Sequence, residues 1–352
     1  MATKIAINGF GRIGRAFLRV AYSRPELEVV AINDLGDADN LGYLLKYDSV
    51  YGRAPFPVEV PPAEGGGARS LLVDGKKIAL ISEADPTKLP WRDMGIDIVV
   101  ESTGFFVSYD KARVHLASGA KRVVITAPVK DEPPEGIAGA TVLVGINDDK
   151  LGTCIITSNA SCTTNSASPL IQILHEGIGI EKAVLTTAHA YTASQNLVDG
   201  PVKRAKGKDD FRDGRAAAHN IVPASTGAAI AVAKAIPDLV DKFDGISLRV
   251  PVVAGSIADV TFIAKRDTSV EEVNSLLAKA AGDERWKNIF AATDEPLVSS
   301  DILGAPYASI ADLSLTRVVG GNLVKVFAWY DNEMGYTYSL VEHVARMAKH
   351  IS

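Results

Sequence analysis

The sequence predicts an α/β protein of two domains. The N-terminal half reads as a doubly wound parallel sheet, and the rest as an α+β domain with a mixed or antiparallel sheet. Three observations carry this. Short Val/Ile runs alternate with helical patterns through the first half, a glycine-rich turn joins the first run to the first helix, and beyond Cys162 the apolar runs alternate with polar residues. Near-continuous apolar strands are those covered on both faces by crossover helices, whereas alternation marks a sheet with one solvated face.

The elements follow in order. "KIAINGF" (4–10) is a short apolar run ending in glycine, and "IGRAFLRVAYSR" (13–24) has helical spacing of Ile13, Phe17, Leu18 and Ala21. "LEVVAIND" (27–34), "DIVVES" (97–102), "RVVITAP" (122–128) and "TVLVGIN" (141–147) read as four more buried strands. "PFPVEVPPAEGGGARS" (55–70), rich in Pro and Gly, reads as a loop or exposed hairpin. In the second half, "ISLRVPV" (246–252), "SIADVTFIAKR" (256–266) and "NLVKVFAWYD" (322–331) are strands. "SVEEVNSLLAKAAG" (269–282) is a helix with Ser269 as N-cap and Glu272 three residues on. "MGYTYSLVEHVARMAKHI" (334–351) is a long amphipathic helix expected to pack back on the first domain. The expected domains are 1–161, completed by 333–352, and 162–332.

The first turn carries chemistry. "NGFGRIGRA" holds Gly9-x-Gly11-x-x-Gly14, follows a predicted strand and opens a predicted helix, and the next strand ends in Asp34, 20 positions after Gly14. That is the context of a Rossmann-type dinucleotide site. Gly9 permits the tight turn, Gly11 lets backbone approach a pyrophosphate, and Gly14 lets helix pack on strand, with Phe10, Arg12 and Ile13 between them. The helix N-terminus favours the anion. Asp34 suits ribose hydroxyls and repels a 2′-phosphate, so NAD is expected over NADP. A glycine-rich turn in an unrelated α/β fold is the alternative.

The second signal is "ITSNASCTTNSASPL" (156–170), where Cys162 is fenced by small hydroxyl and amide residues at the junction of a strand and an apolar helix. A thiol at a helix N-terminus meets unpaired N–H groups and the positive end of the dipole, both of which lower its pKa. A nearby histidine would complete an activated nucleophile. A lone cysteine is more often an inert small hydrophobe, the reading kept for Cys154 in its apolar run; the polar flanks of Cys162 shift that balance. His189 ends the apolar run in "LTTAHAYTASQ", the place of a catalytic side chain at a strand end, though by itself a lone histidine is more often structural. His115, His175, His343 and His350 lie in helical patterns as surface or packing residues; His219 is left undecided.

The 352 residues carry 47% hydrophobic and 22% charged side chains and a net charge of −5. This suits large cores and recommends neither nucleic acid nor an anionic membrane as partner. The apolar runs are far shorter than the ~20 residues of a membrane span, and a strand-like run from Lys4 leaves no room for a targeting peptide. Two cysteines eight apart make no disulfide framework and no common zinc pattern, so a reducing, cytoplasmic setting without a metal site is expected.

Taken together, "NGFGRIGR", "AINDL", "KYDSVYG", "LPW", "ESTGFF", "SNASCTTN", "HAYTASQ", "DGP", "RDGRAAAHNIVPASTGAA", "LRVPV" and "WYDNEMGY" closely resemble the phosphorylating glyceraldehyde-3-phosphate dehydrogenase family. They span nearly the whole chain. The resemblance implies oxidation of D-glyceraldehyde 3-phosphate to 1,3-bisphosphoglycerate, with Cys162 as nucleophile and His189 as general base. It implies that Thr192, Ser194 and Arg249 hold the substrate phosphate, and that Ser161, Thr163, Thr226 and Gly227 surround the attacking inorganic phosphate. Asn332 matches the residue that orients the nicotinamide carboxamide, and Thr103 and Gly104 a strand end beneath the cofactor. A homotetramer is implied in the same way. Plainer readings stand beside these: "STGAA" can cap a helix through Ser225 or Thr226, and Arg249 can be an ordinary ion-pair residue.

The chain departs from the pattern in places. Ser166 stands where many relatives carry a second cysteine, so no internal disulfide can form there. "RVPVVAG" replaces "RVPTPN" but keeps Arg249 and Pro251. "VKRAKGKDDF" (202–211) is long and basic, and Lys203, Arg204, Lys206 and Lys208 are expected on a solvated loop tip. The nearest rival function is erythrose-4-phosphate dehydrogenase, which ends in hydrolysis. The rival of another class is a non-catalytic NAD-binding scaffold, which would need none of Cys162, His189 and Arg249.

Overall fold

The computed structural model describes residues 2–62, 69–202 and 208–351. Contacts divide the chain into two units, Met1–Ala160 with Leu340–Ser352, and Ser161–Ser339.

The first unit is built on a nine-stranded sheet. In spatial order its strands are Gly139–Thr141, Ile156–Ser158, Arg122–Ile125, Ile98–Glu101, Thr3–Asn8, Leu27–Asn33, Lys76–Ile81, Ser70–Val73 and Val58–Glu59. The first seven run parallel, and the last two add an antiparallel edge. Ile5, Ile7, Ile32, Ile98, Val99, Val100, Val123 and Val124 are buried, as strands covered on both faces must be. Asn8 lies in register with Asn33 on one side and Glu101 on the other, so three polar residues end three central strands at one level.

One expectation needs correction here, and one strand was not expected. The run 141–147 is a strand only at its start: Gly139–Thr141 pairs in the sheet, and the chain then turns. Gly145 takes φ +84°, and the Ile146 N–H donates to the Leu143 carbonyl at 3.0 Å. The Val142 N–H still donates to the Ser158 carbonyl at 2.9 Å, but Leu143 and Val144 are apolar because they are buried, not because they are paired. The strand Lys76–Ile81 is absent from the reading of the sequence; it pairs in parallel with Leu27–Asn33. Its two leading lysines hide it from any search for apolar runs. In the 55–70 stretch, Val58–Glu59 pairs antiparallel with Leu72–Val73, and 63–68 lie outside the described residues.

The second unit holds an eight-stranded mixed sheet. Its order is Val222–Ser225, Phe243–Val250, Ile180–Ala190, Ser256–Ala264, Leu323–Tyr330, Ser309–Asp312 and Phe290–Thr293, with Arg317–Val319 pairing Leu323–Tyr330. Ile180–Ala190 pairs parallel with Phe243–Val250, which sets His189 beside Arg249. Helix Cys162–Ile178 packs against helices Ala228–Ala235 and Val270–Ala281. The latter is capped as expected, Ser269 Oγ accepting from the Glu272 N–H at 3.2 Å, while the Glu272 carboxylate turns to Arg266 at 2.6 Å. Lys203, Arg204 and Lys206 of the basic stretch lie outside the described residues, and Lys208–Gly214 forms a 3-10 helix. The last helix, Met334–Ala348, crosses the boundary between units at Leu340.

Candidate active site

The glycine turn in the first unit is shaped by what its glycines lack. Gly9 takes φ +95°, and a Cβ there would stand 2.6 Å from the Thr103 nitrogen. A Cβ on Gly14 would collide with the Gly9 carbonyl, so helix Arg12–Ala21 can approach the strand only with glycine at that point. A Cβ on Gly11 would meet nothing within 4 Å, which leaves room above the helix start for an incoming group. Gly11 caps that helix without any side-chain hydrogen bond, so the first-turn N–H groups, those of Arg12 and Ile13 among them, suit an anion. The Arg12 guanidinium turns to Asp48 at 2.9 Å, and Phe10 is fully buried.

Asp34 closes the cradle from the next strand. Its carboxylate accepts from the Phe10 N–H at 2.6 Å and the Gly36 N–H at 2.8 Å. Thr103 follows the strand Ile98–Glu101, and its N–H donates to Glu101 at 2.8 Å; Gly104 takes φ +72°. A cavity of about 370 Å³ is lined by Asn8, Gly9, Gly11, Asp34, Leu35 and Thr103 among others. The open space at Gly11, the helix start and the carboxylate fit the three parts of a dinucleotide: room, phosphate site and ribose site.

In the second unit Cys162 opens helix Cys162–Ile178, and the Ser161 hydroxyl accepts from the Thr164 N–H at 3.1 Å. Cys162 Sγ lies 3.3 Å from His189 Nε2. His189 Nδ1 lies 2.6 Å from the Ala190 carbonyl, and Nε2 is the ring nitrogen that faces the thiol. The Arg249 guanidinium also touches His189 Nδ1.

The electrostatics correct one expectation. The helix start by itself would pull the thiol pKa down. Burial instead pushes the Cys162 thiol up, against the opposing pull of the Arg249 guanidinium and the hydrogen bonds at Thr163. Burial, aided by Arg249, pushes His189 down to about 3. Both shifts favour the uncharged forms of the pair, a thiol facing an imidazole.

The remaining candidates are held as follows. Thr192 and Ser194 share one turn, their hydroxyls 3.0 Å apart, and Thr192 stands three residues beyond the strand position that pairs with Arg249. The Thr163 hydroxyl points into the core, 2.9 Å from the Tyr330 hydroxyl. Thr226 Oγ1 accepts from the Ala228 N–H at 3.2 Å, while the N-cap of helix Ala228–Ala235 is Gly227, not the Ser225 or Thr226 of the plainer reading. Asn332 Oδ1 accepts from the Gly255 N–H at 3.0 Å and the Ser256 hydroxyl at 3.1 Å, which fixes the amide and leaves its N–H₂ as the donor end.

Sequence reasoning misses Ser256 and Tyr330. Ser256 accepts from the Ala190 N–H at 3.1 Å and so ties the strand of His189 to Asn332. Tyr330 links Thr163 to Thr187, 2.7 Å away, with its ring edge-on to His189. Only the strand register brings these together, and no spacing signals it. Cys154 is buried and free, as expected. No cluster of metal-binding type and no helix long and apolar enough to cross a membrane occurs among the described residues.

Fold and cradle define the class, a Rossmann-type NAD-binding enzyme. Residues 3–109 match the model of the glyceraldehyde 3-phosphate dehydrogenase NAD binding domain, and 161–332 match that of the C-terminal domain. The chain is 47% identical to a glyceraldehyde-3-phosphate dehydrogenase of Clostridium acetobutylicum over 350 residues, covering 98% of each chain. It is 48% identical to that of Thermotoga maritima over 349 residues, covering 98% of this chain and 99% of the relative. The figure for Geobacillus stearothermophilus is 45% over 350 residues, 99% of each. The chain belongs to the glyceraldehyde-3-phosphate dehydrogenase family and is an NAD-dependent oxidoreductase.

Proposed function

We propose that the chain oxidises D-glyceraldehyde 3-phosphate to 1,3-bisphosphoglycerate, consuming inorganic phosphate. The observation that carries this is the 3.3 Å approach of the Cys162 thiol to Nε2 of His189. Cys162 Sγ adds to the aldehyde carbon, and His189 Nε2 passes the thiol proton to the carbonyl oxygen, giving a thiohemiacetal. His189 then withdraws the hydroxyl proton as the carbon loses hydride, leaving a thioester on Cys162. Bound NAD supplies the hydride acceptor. Phosphate oxygen attacks the thioester carbon, the C–S bond breaks, His189 returns its proton to the Cys162 sulfur, and the acyl phosphate leaves.

Arg249 offers a bidentate clamp to the substrate phosphate, with Thr192 and Ser194 beside it. Ser161, Thr163, Thr226 and Gly227 are assigned to the attacking phosphate, the Thr163 share falling to its N–H because its hydroxyl is engaged in the core. The Asn332 N–H₂ group is assigned to the nicotinamide carboxamide, and Gly9, Gly11, Gly14 and Asp34 to the remainder of the cofactor. The same reading makes the protein a cytoplasmic homotetramer. Two free cysteines suit a reducing compartment, and exposed Val184, Ile230, Val240 and Ile246 offer apolar surface for assembly.

The test is NADH formation from glyceraldehyde 3-phosphate with and without phosphate. Steep dependence on phosphate, with arsenate able to replace it, is expected. Sustained turnover without either anion, with erythrose 4-phosphate as the better substrate, would assign the chain to hydrolytic chemistry instead.

A further inference from the structure

Beneath the cofactor cavity runs a buried polar chain that the chemistry above leaves unused. The Trp91 indole N–H donates to His115 Nδ1 at 3.2 Å, so the His115 proton sits on Nε2, which faces Glu101 Oε2 at 3.0 Å. The Asn8 amide donates to the same oxygen at 2.6 Å. The Thr103 N–H and hydroxyl both donate to Glu101 Oε1, at 2.8 and 2.5 Å. On the far side the Asn33 amide donates to Asn8 Oδ1 at 2.7 Å, and Asn33 Oδ1 accepts from the Glu83 N–H at 2.9 Å. Glu101 is 1% exposed and His115 and Trp91 0%.

The chain's position is more informative than its burial. Asn8, Asn33 and Glu101 are the last residues of three adjacent parallel strands, paired in register. Gly9 and Asp34 follow directly on the first two, and Thr103 follows two residues after the third; all three line the cavity. Every donor around Glu101 is satisfied by one acceptor-only group. A buried carboxylate with fewer donors would be strongly unfavourable, and an apolar side chain would leave Thr103, Asn8 and His115 unpaired.

We propose that Glu101 is a positioning residue for the cofactor. Its two oxygens set the level of the strand ends and fix the Thr103 backbone, and the pair with His115, itself oriented by Trp91, fixes Glu101. The inference rests on the cradle as the NAD site and is independent of the thiol chemistry.

Glu101→Gln places an amide N–H₂ where Asn8 and His115 both donate. In the full-length protein it is expected to raise the NAD Kd and the KM for NAD about tenfold or more, the scale of one lost charge-assisted hydrogen bond. The kcat at saturating NAD and the rate of Cys162 alkylation by iodoacetamide should stay near wild type. A second pair of variants lies outside the cavity lining: His115→Gln, which keeps an N–H donor for Glu101 Oε2, should hold NAD affinity near wild type, whereas His115→Leu, which removes that donor, should weaken NAD binding in the same direction as Glu101→Gln. Unchanged NAD affinity in Glu101→Gln would overturn the proposal. So would a His115→Leu variant that binds NAD as tightly as His115→Gln. If Glu101→Gln does not fold, the two His115 variants decide by the same affinity. Activity retained in Cys162→Ser would sink the thiol mechanism and leave this inference standing.

Discussion

The cofactor cradle and the thiol site are made from different parts of the chain. The cradle is backbone: a turn at Gly9, an empty space at Gly11, a close approach at Gly14, and N–H groups at a helix start. The thiol site is side chain: Cys162 from a helix start, His189 and Arg249 from neighbouring strands, and Asn332 held by Ser256. The first kind of site fails when atoms are added to it. The second fails when atoms are removed. The same difference explains why one is legible in a continuous stretch and the other only by assembling distant motifs.

The largest expected effect breaks one region and spares the other. Cys162→Ser should abolish NADH formation while leaving NAD affinity near wild type in a binding titration; retained turnover would remove Cys162 from the mechanism. His189→Asn should lower kcat by roughly 10²–10⁴, the range for a general base. Because burial holds the thiol up and His189 down at about 3, iodoacetamide labelling of Cys162 should climb with pH through and above ~8.5 and show no step near 6.5. A step near ~6.5 in the labelling profile would mean a resting thiolate–imidazolium pair.

The cradle is tested by adding one methyl group at two places. Gly14→Ala should destabilise the protein by about 1–3 kcal/mol, because the Cβ meets the Gly9 carbonyl in a packed interior. Gly11→Ala meets no protein atom and should keep the wild-type Tm while weakening NAD binding. Equal losses of Tm in the two variants would contradict the assignment of open space to the ligand.

The smallest effect compares one buried histidine in each unit. His343 donates from Nδ1 to Asn159 at 3.1 Å and accepts from Thr157 at 2.7 Å, and burial lowers it to about 3, as it does His189. Both folded values lie below the ~6.5 of the unfolded chain. The unfolded state therefore takes up protons first, and the contribution of each histidine is complete above pH ~6.5 and lost as pH falls toward about 3. The slope is on the order of 1.4 kcal/mol per pH unit per histidine. Urea unfolding between about pH 6.5 and 4.5 should show this, and His343→Gln should have a shallower slope than wild type. An unchanged slope would mean that His343 is not held neutral.

Much of this is legible in the sequence. The glycine turn, Asp34, the N-cap at Ser269 and the strand-to-helix junction at Cys162 are local features, decided within a few residues by φ range, hydrogen-bonding capacity and apolar spacing. The run 141–147 misleads because burial and strand pairing both select Val and Leu. Lys76–Ile81 escapes because its strand half-hides behind charged residues. Glu101 and His115 read as a strand end and a helix residue, since nothing in their spacing shows that they meet.

The sequence by itself determined the class of the fold, the cofactor turn and which thiol stands at a helix start, because backbone conformation and periodicity are short-range. The tertiary structure alone decided the rest. It set His189 beside Arg249, tied Asn332 to Ser256 and Ala190, gathered Asn8, Asn33 and Glu101 at one level, and reversed the direction in which the thiol pKa moves. Strand register and depth of burial belong to the packed sheet, and they fix which side chains meet and how much water remains around their charges.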